Sequence, residues 1–102
     1  MNIKKREIED YLVFDLLEDI TYDNAKELDS FIINNLDKAF TNIVLNIKNV
    51  VYVNSFALGV LIKTMQEVEK RGCAFFLMNV NPNVKTLLKV TGVLAKFKIF
   101  DK

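Results

Sequence analysis

Apolar and charged positions alternate over residues 3–9, where Ile3, Arg6 and Ile8 sit among charges, the period of a strand at a sheet edge. Tyr11 to Leu17 (YLVFDLL) is a denser strand, and Glu9-Asp10 between the two suits a tight hairpin. The period then lengthens. Ala25, Leu28, Ile32 and Leu36 recur at helical spacing, with Phe31 widening the stripe, as far as Asp37 or Lys38. Thr21 suits the N-cap of that helix and Asp23 its first turn, where a carboxylate favours the helix dipole.

The stretch Ile43 to Lys70 (IVLNIKNVVYVNSFALGVLIKTMQEVEK) carries the most information. Ile43 to Ile47 is a run of aliphatic residues dense enough to be buried on both faces, as at the centre of a sheet. The chain turns at Asn54-Ser55 and leaves as a helix with Leu58, Leu61, Ile62, Met65 and Val68 inward and Lys63, Gln66, Glu67 and Lys70 outward. Gly72 ends it. Cys73 to Met78 (CAFFLM) is a further strand, and Asn81-Pro82 is an N-cap followed by proline at the first helical position. Val84, Leu87 and Leu88 face inward on that helix, which stops near Gly92, and Phe97 to Phe100 closes the order as a short strand.

The order β-β-α-β-α-β-α-β predicts an α/β fold: one domain over residues 1–102, a mostly parallel sheet with right-handed crossovers, and an antiparallel hairpin at the N-terminus. A buried strand feeding a helix through a short polar turn leaves the first N–H groups of the helix unpaired at the sheet edge. Function is therefore sought at Asn54, Ser55 and Phe56.

Composition narrows the classes. Fourteen basic residues against thirteen acidic ones leave a net charge of +1, without the basic stripe that nucleic acid requires. The Lys4-Lys5-Arg6 cluster is followed at once by Glu7, Glu9 and Asp10 and reads as a solvated strand face. The chain lacks a run of apolar residues long enough for membrane insertion, and its N-terminus lacks a signal peptide's apolar stretch. One cysteine, Cys73, fits a reducing cytosol and inert burial, so a cytoplasmic location is expected. Abundant Lys and Asn with two Arg hint at an AT-rich bacterial genome.

Histidine is absent, which removes imidazole catalysis and most zinc sites. No phosphate-cradling glycine loop, metal-ligand cluster or activated nucleophile stands out, so no cofactor and no enzymatic activity are expected. Asp15, Glu18, Asp19 and Asp23 read as a solvated acidic loop. Lys4, Lys5 and Arg6 discourage pairing of the Ile3–Ile8 edge with a second copy, and oligomeric state stays open.

With that order, Ile43–Ile62, Phe75–Val80 (FFLMNV), Asn81–Leu88 (NPNVKTLL) and Val90–Phe97 (VTGVLAKF) resemble the STAS domain family of anti-sigma factor antagonists and their relatives. In members that act as phosphorylation switches the turn reads Asp-Ser-Ser-Gly-Leu-Gly, and its second serine accepts phosphate. Here Asn54 stands at the aspartate, Ser55 at the first serine, Phe56 at the acceptor and Ala57 at the glycine, while Leu58 and Gly59 match. A further family carboxylate appears as Asn46.

The resemblance implies a partner surface over Asn54, Ser55, Phe56, Ala57 and Leu58, extended by Val93 or Leu94 in a loop flanking the turn. Ser55 is either a plain N-cap or a displaced phosphoacceptor, and Asn54 a cap or a contact. Phe56 lies off the inward stripe, which favours partial exposure over core burial. Val93 and Leu94 either extend the patch or pack under the sheet edge.

The leading expectation is a regulatory module that docks an anti-sigma factor or a related serine kinase, its customary charge switch lost. The alternative is a non-phosphorylated scaffold or accessory subunit of a stress-sensing assembly or a lipid ABC transporter.

Overall fold

Each crossover moves the chain one strand further in the same direction, so the sheet order is the sequence order, β1-β2-β3-β4-β5. The computed structural model describes residues 1–100. The strands are β1 Ile3–Ile8, β2 Tyr11–Leu16, β3 Asn42–Asn46, β4 Ala74–Met78 and β5 Lys98–Phe100, and the helices are α1 Ala25–Asn34, α2 Ser55–Lys70 and α3 Pro82–Val90. β1 and β2 pair antiparallel and the remaining neighbours pair parallel, the expected α/β arrangement. The β1–β2 hairpin closes on Glu9-Asp10, with Ile8 opposite Tyr11 and Glu9 at a left-handed φ of 54°.

Right-handed crossovers that all step one way place every helix on one side of the sheet. The core reflects this. Leu12, Phe14, Ile43, Leu45, Phe75 and Leu77 join Leu28 and Ile32 of α1, Leu61 and Met65 of α2, and Val84 and Leu88 of α3 in one buried cluster. Residues one position over in the strands point away from it. Val13 and Val44 are buried yet lie outside that cluster, on the face that carries no helix among the described residues. β3 is thus buried on both faces, as its sequence predicts, but only one of them by helices.

α1 is shorter than its stripe predicts. Before it, Thr21 Oγ1 accepts from the Asn24 N–H (3.3 Å) and Asn24 Oδ1 accepts from the Thr21 N–H (2.8 Å), which closes a turn ahead of the helix; the N-cap is therefore Asn24 and not the expected Thr21, and Glu27, not Asp23, is the acidic residue of the first turn. Asn35 ends the helix early by donating through Nδ2 to the Phe31 carbonyl (2.7 Å), which leaves Leu36 to Lys38 outside it. α2 ends as expected, with Gly72 at φ 87°. Asn81 caps α3 with Pro82 in its first turn.

Candidate functional site

The C-terminal ends of the parallel strands gather the connections 17–24, 47–54 and 79–81 along one edge of the sheet, together with the starts of α2 and α3. The 47–54 connection is anchored from below. Val50 and Val53 are buried, and Val53 bridges Ile20. Between them Val51 and Tyr52 are pushed outward, 51% and 62% exposed. Asp19 Oδ1 holds them there, accepting from the N–H groups of Val51 (2.8 Å) and Tyr52 (3.4 Å).

The elbow comes next along the chain. Asn54 has an extended backbone, and its Oδ1 accepts from the Ala57 N–H at 2.7 Å, so Asn54 and not Ser55 is the N-cap of α2. Ser55 begins the helix with an exposed side chain, and among the described residues its hydroxyl has no hydrogen-bond partner. Phe56 is 37% exposed and packs on Tyr22, itself 66% exposed, with ring centroids 4.6 Å apart and planes inclined at 43°. The partial exposure expected of Phe56 is observed.

Three expectations for the surface need correction. Ala57 and Leu58 are buried against the core, because the inward stripe of α2 already starts at Ala57 and takes in its first leucine. They shape the elbow from beneath and offer no surface. Val93 and Leu94 follow the C-terminal end of α3. α3 starts at the elbow's edge of the sheet and runs away from it, so the loop after it sits where β5 begins. Both residues are half-buried against the core, and Val93 N–H bonds the Leu88 carbonyl at 2.9 Å. The connections beside the elbow are 17–24 and 79–81.

The third correction concerns the acidic cluster: Asp23 is exposed as expected, but Asp15, Glu18 and Asp19 are tethers. Asp15 pairs with Arg6 and accepts from Asn46 Nδ2 at 2.7 Å. Glu18 accepts from the Asn2 N–H and from Asn24 Nδ2. Asp19 holds the Val51-Tyr52 backbone. Burial opposes ionisation of Asp15, but hydrogen bonds from Arg6 and Asn46 and the charge of Arg6 prevail and hold its carboxyl below the ordinary value.

Asn46 is matched to this setting. Its Nδ2 donates to Asp15 while its Oδ1 accepts from Asn79 Nδ2 (3.0 Å) and the Lys48 N–H (3.2 Å). A carboxylate at that position would repel Asp15 and lose the donor.

Sequence reading missed Tyr22, Val51, Tyr52 and Val90, all large, apolar and exposed. A signal existed for two of them: Val51 and Tyr52 extend an apolar run beyond the residues a strand can use. They line a groove of about 300 Å³ with Asn83, Thr86 and Val90 on the outer side of α3. Gly59, exposed one turn into α2, has open space where a Cβ would project.

The STAS domain family model matches residues 2–102. The chain belongs to the STAS domain family. A protein of Thermotoga neapolitana, named as a candidate anti-sigma factor antagonist, is 26% identical over 95 residues, covering 92% of this chain and 84% of that one. The crystal structure of a like-named protein from Thermotoga maritima superposes with a TM-score of 0.87 at 22% identity, over 98% of this chain and 86% of the other. The anti-sigma factor antagonist SpoIIAA in its unphosphorylated form gives a TM-score of 0.76 at 16% identity, covering 99% of this chain and 90% of that one. The Bacillus protein in its phosphorylated form gives 0.69, also at 16% identity, over 99% of this chain and 93% of the other. This STAS domain thus has the SpoIIAA fold.

Proposed function

We propose that this STAS domain is a non-catalytic regulatory module that docks an anti-sigma factor or a related serine kinase, and that it does so constitutively. The observation that carries the proposal is Phe56, exposed at the N-terminus of α2 and packed on Tyr22, at the position where a phosphorylation switch needs a hydroxyl. Partner switching depends on two states of the antagonist with different affinities. Phosphate would provide the difference through charge repulsion and desolvation at the interface. An aromatic ring cannot take phosphate, so one state remains, and that state carries an apolar anchor of the type that dominates interface energies.

The names of the relatives support the partner class, since they describe antagonists or candidate antagonists of anti-sigma factors. The local surface supports docking: Tyr22, Val51, Tyr52 and Phe56 stand out along the edge where α2 begins. Backbone bonds to Asp19 and the Asn54 cap hold that surface ready, which reduces the ordering cost of association.

Ser55 offers the only alternative hydroxyl in the elbow. It precedes the acceptor position by one residue, a rotation of about 100° around the helix, and so faces a kinase differently. Incubation with the cognate kinase and ATP, read by intact mass, is expected to leave the chain unmodified while a complex forms. Stoichiometric phosphorylation of Ser55 would overturn the constitutive reading, and failure to form any complex with an anti-sigma factor or kinase would overturn the docking reading.

A further inference from the structure

We infer that the partner docked at the elbow continues onto α3 with an acidic segment, whose apolar side chains enter the groove between Tyr52 and Val90 and whose carboxylates meet Lys85 and Lys89. The inference rests on the docking role proposed above and names the chemistry of the partner's surface. The groove, of about 300 Å³, is lined by Val51 and Tyr52 on one side and by Asn83, Thr86, Leu87 and Val90 of α3 on the other. Tyr52 and Val90 are its most exposed apolar side chains, at 62% and 77%. Its volume lies at the low end for ligand pockets and suits one or two apolar side chains. Val51 and Tyr52 also belong to the elbow surface, and the adjoining Val53 bridges Ile20, just ahead of Tyr22, so the two contacts are continuous.

α3 carries charge of one sign. Thr86 lines this groove and also a second one, which Lys85 and Lys89 line, so the lysines begin one residue beyond the apolar wall. Both are exposed, and among the described residues neither enters an ion pair and no carboxylate lines either groove. From Lys70 to Phe100 the sequence has no Asp or Glu. The acidic side chains of the elbow surface lie on the 17–24 connection, where Asp19 is engaged by the Val51-Tyr52 backbone and Asp23 is exposed next to Tyr22. The surface is thus polarised, with its cationic end on α3. Within the chain that end is unfavourable. Lys85 and Lys89 form a like-charge pair one turn apart, and no acidic residue in the first turn offsets them or complements the helix dipole. A partner carboxylate set between the two lysines relieves their repulsion.

Other occupants fit less well. A concave groove admits individual side chains, whereas a bilayer surface would leave it empty, which favours a protein segment over an anionic membrane. A second copy related by a two-fold axis would join this patch to itself and set Lys85 and Lys89 against the same lysines. The contact centres on Thr86 and Val90, beyond the turn that Asn81 caps.

The probes are three short synthetic peptides: one of Leu and Glu, one with Lys in place of each Glu, and one with Ser in place of each Leu. Fluorescence anisotropy with the full chain is expected to show saturable binding of the Leu-Glu peptide, weakened by added salt, and about tenfold weaker binding of the other two. Amide NMR shifts should centre on Tyr52, Thr86 and Val90. The exposed pair Lys85→Glu and Lys89→Glu is expected to weaken the Leu-Glu peptide about tenfold, and the neutral pair Lys85→Gln and Lys89→Gln about threefold. Phe56→Ser should leave it unchanged, so failure here is separable from failure at the elbow. Equal affinity for the Glu and Lys peptides, no saturable binding, or binding that survives the double charge reversal would overturn the inference. So would binding of phosphatidylglycerol vesicles that depends on the same lysines, or sedimentation showing a dimer that the double reversal dissolves.

Discussion

α2 and α3 start at the same edge of the sheet and with the same device. Asn54 and Asn81 both hold an extended backbone, and their side chains accept from the Ala57 and Asn83 N–H groups at 2.7 and 2.8 Å. The two helices diverge just after the cap. α3 continues with Pro82, which pre-sets the helical φ and needs no partner for a missing N–H. α2 continues with Ser55 and Phe56, which expose a hydroxyl and place a ring against Tyr22. One start is closed by a proline; the other exposes a hydroxyl and a ring. The same cap chemistry thus does not by itself create a surface; the residues just inside it decide what is exposed.

Substitutions can break this contrast. The largest effect is expected for Phe56→Ser, which should weaken a cognate complex about a hundredfold by calorimetry, near 2.7 kcal/mol, since central aromatic anchors commonly contribute that much. Its effect on the thermal melt should be small. Asp19→Ala frees the Val51-Tyr52 backbone and should cost about 1.5 kcal/mol in urea unfolding, with a parallel loss of affinity. Asn54→Ala and Asn81→Ala should each cost about 1 kcal/mol of stability, yet only the first should reduce binding. Equal binding losses for the two caps would erase the distinction between the helix starts.

Gly59→Ala should stabilise the chain by about 0.5–1 kcal/mol, because the site is helical and a Cβ meets nothing there. If a partner backbone lies against α2, the same change lowers affinity while raising the melting temperature. The smallest effect is a pH dependence. Asp15 titrates below its ordinary value of 3.8, so its share of stability is present above that pH and is lost as the pH falls through the lower folded value. Acid unfolding of Asp15→Asn against wild type should show the two curves converging below pH 3.8.

Much of this fold is legible in the residues. The change of period at Ala25, the aliphatic density of Ile43 to Ile47 and the Asn81-Pro82 start each correspond to an observed element. The elbow is legible too, through a polar pair between an apolar run and an amphipathic one. The tethers are not. Asp19 meets a backbone 32 residues away, and an acidic residue bonded to a distant N–H has the same sequence signature as one in water. The position of Val93 and Leu94 depends on which way α3 runs, and proximity in sequence to Gly92 carries no such direction. The bare face escapes for a related reason: an apolar run shows that a strand is shielded, not by what.

The Asp19 tether has a kinetic corollary. The exposed pair Val51-Tyr52 takes its shape from a carboxylate beyond β2, so the proposed contact surface exists only once β2 and β3 have aligned side by side across an intervening helix. Such distant pairings come late in chain assembly. A nascent or half-collapsed molecule would then be invisible to its target, and recognition itself would act as a checkpoint for completed maturation.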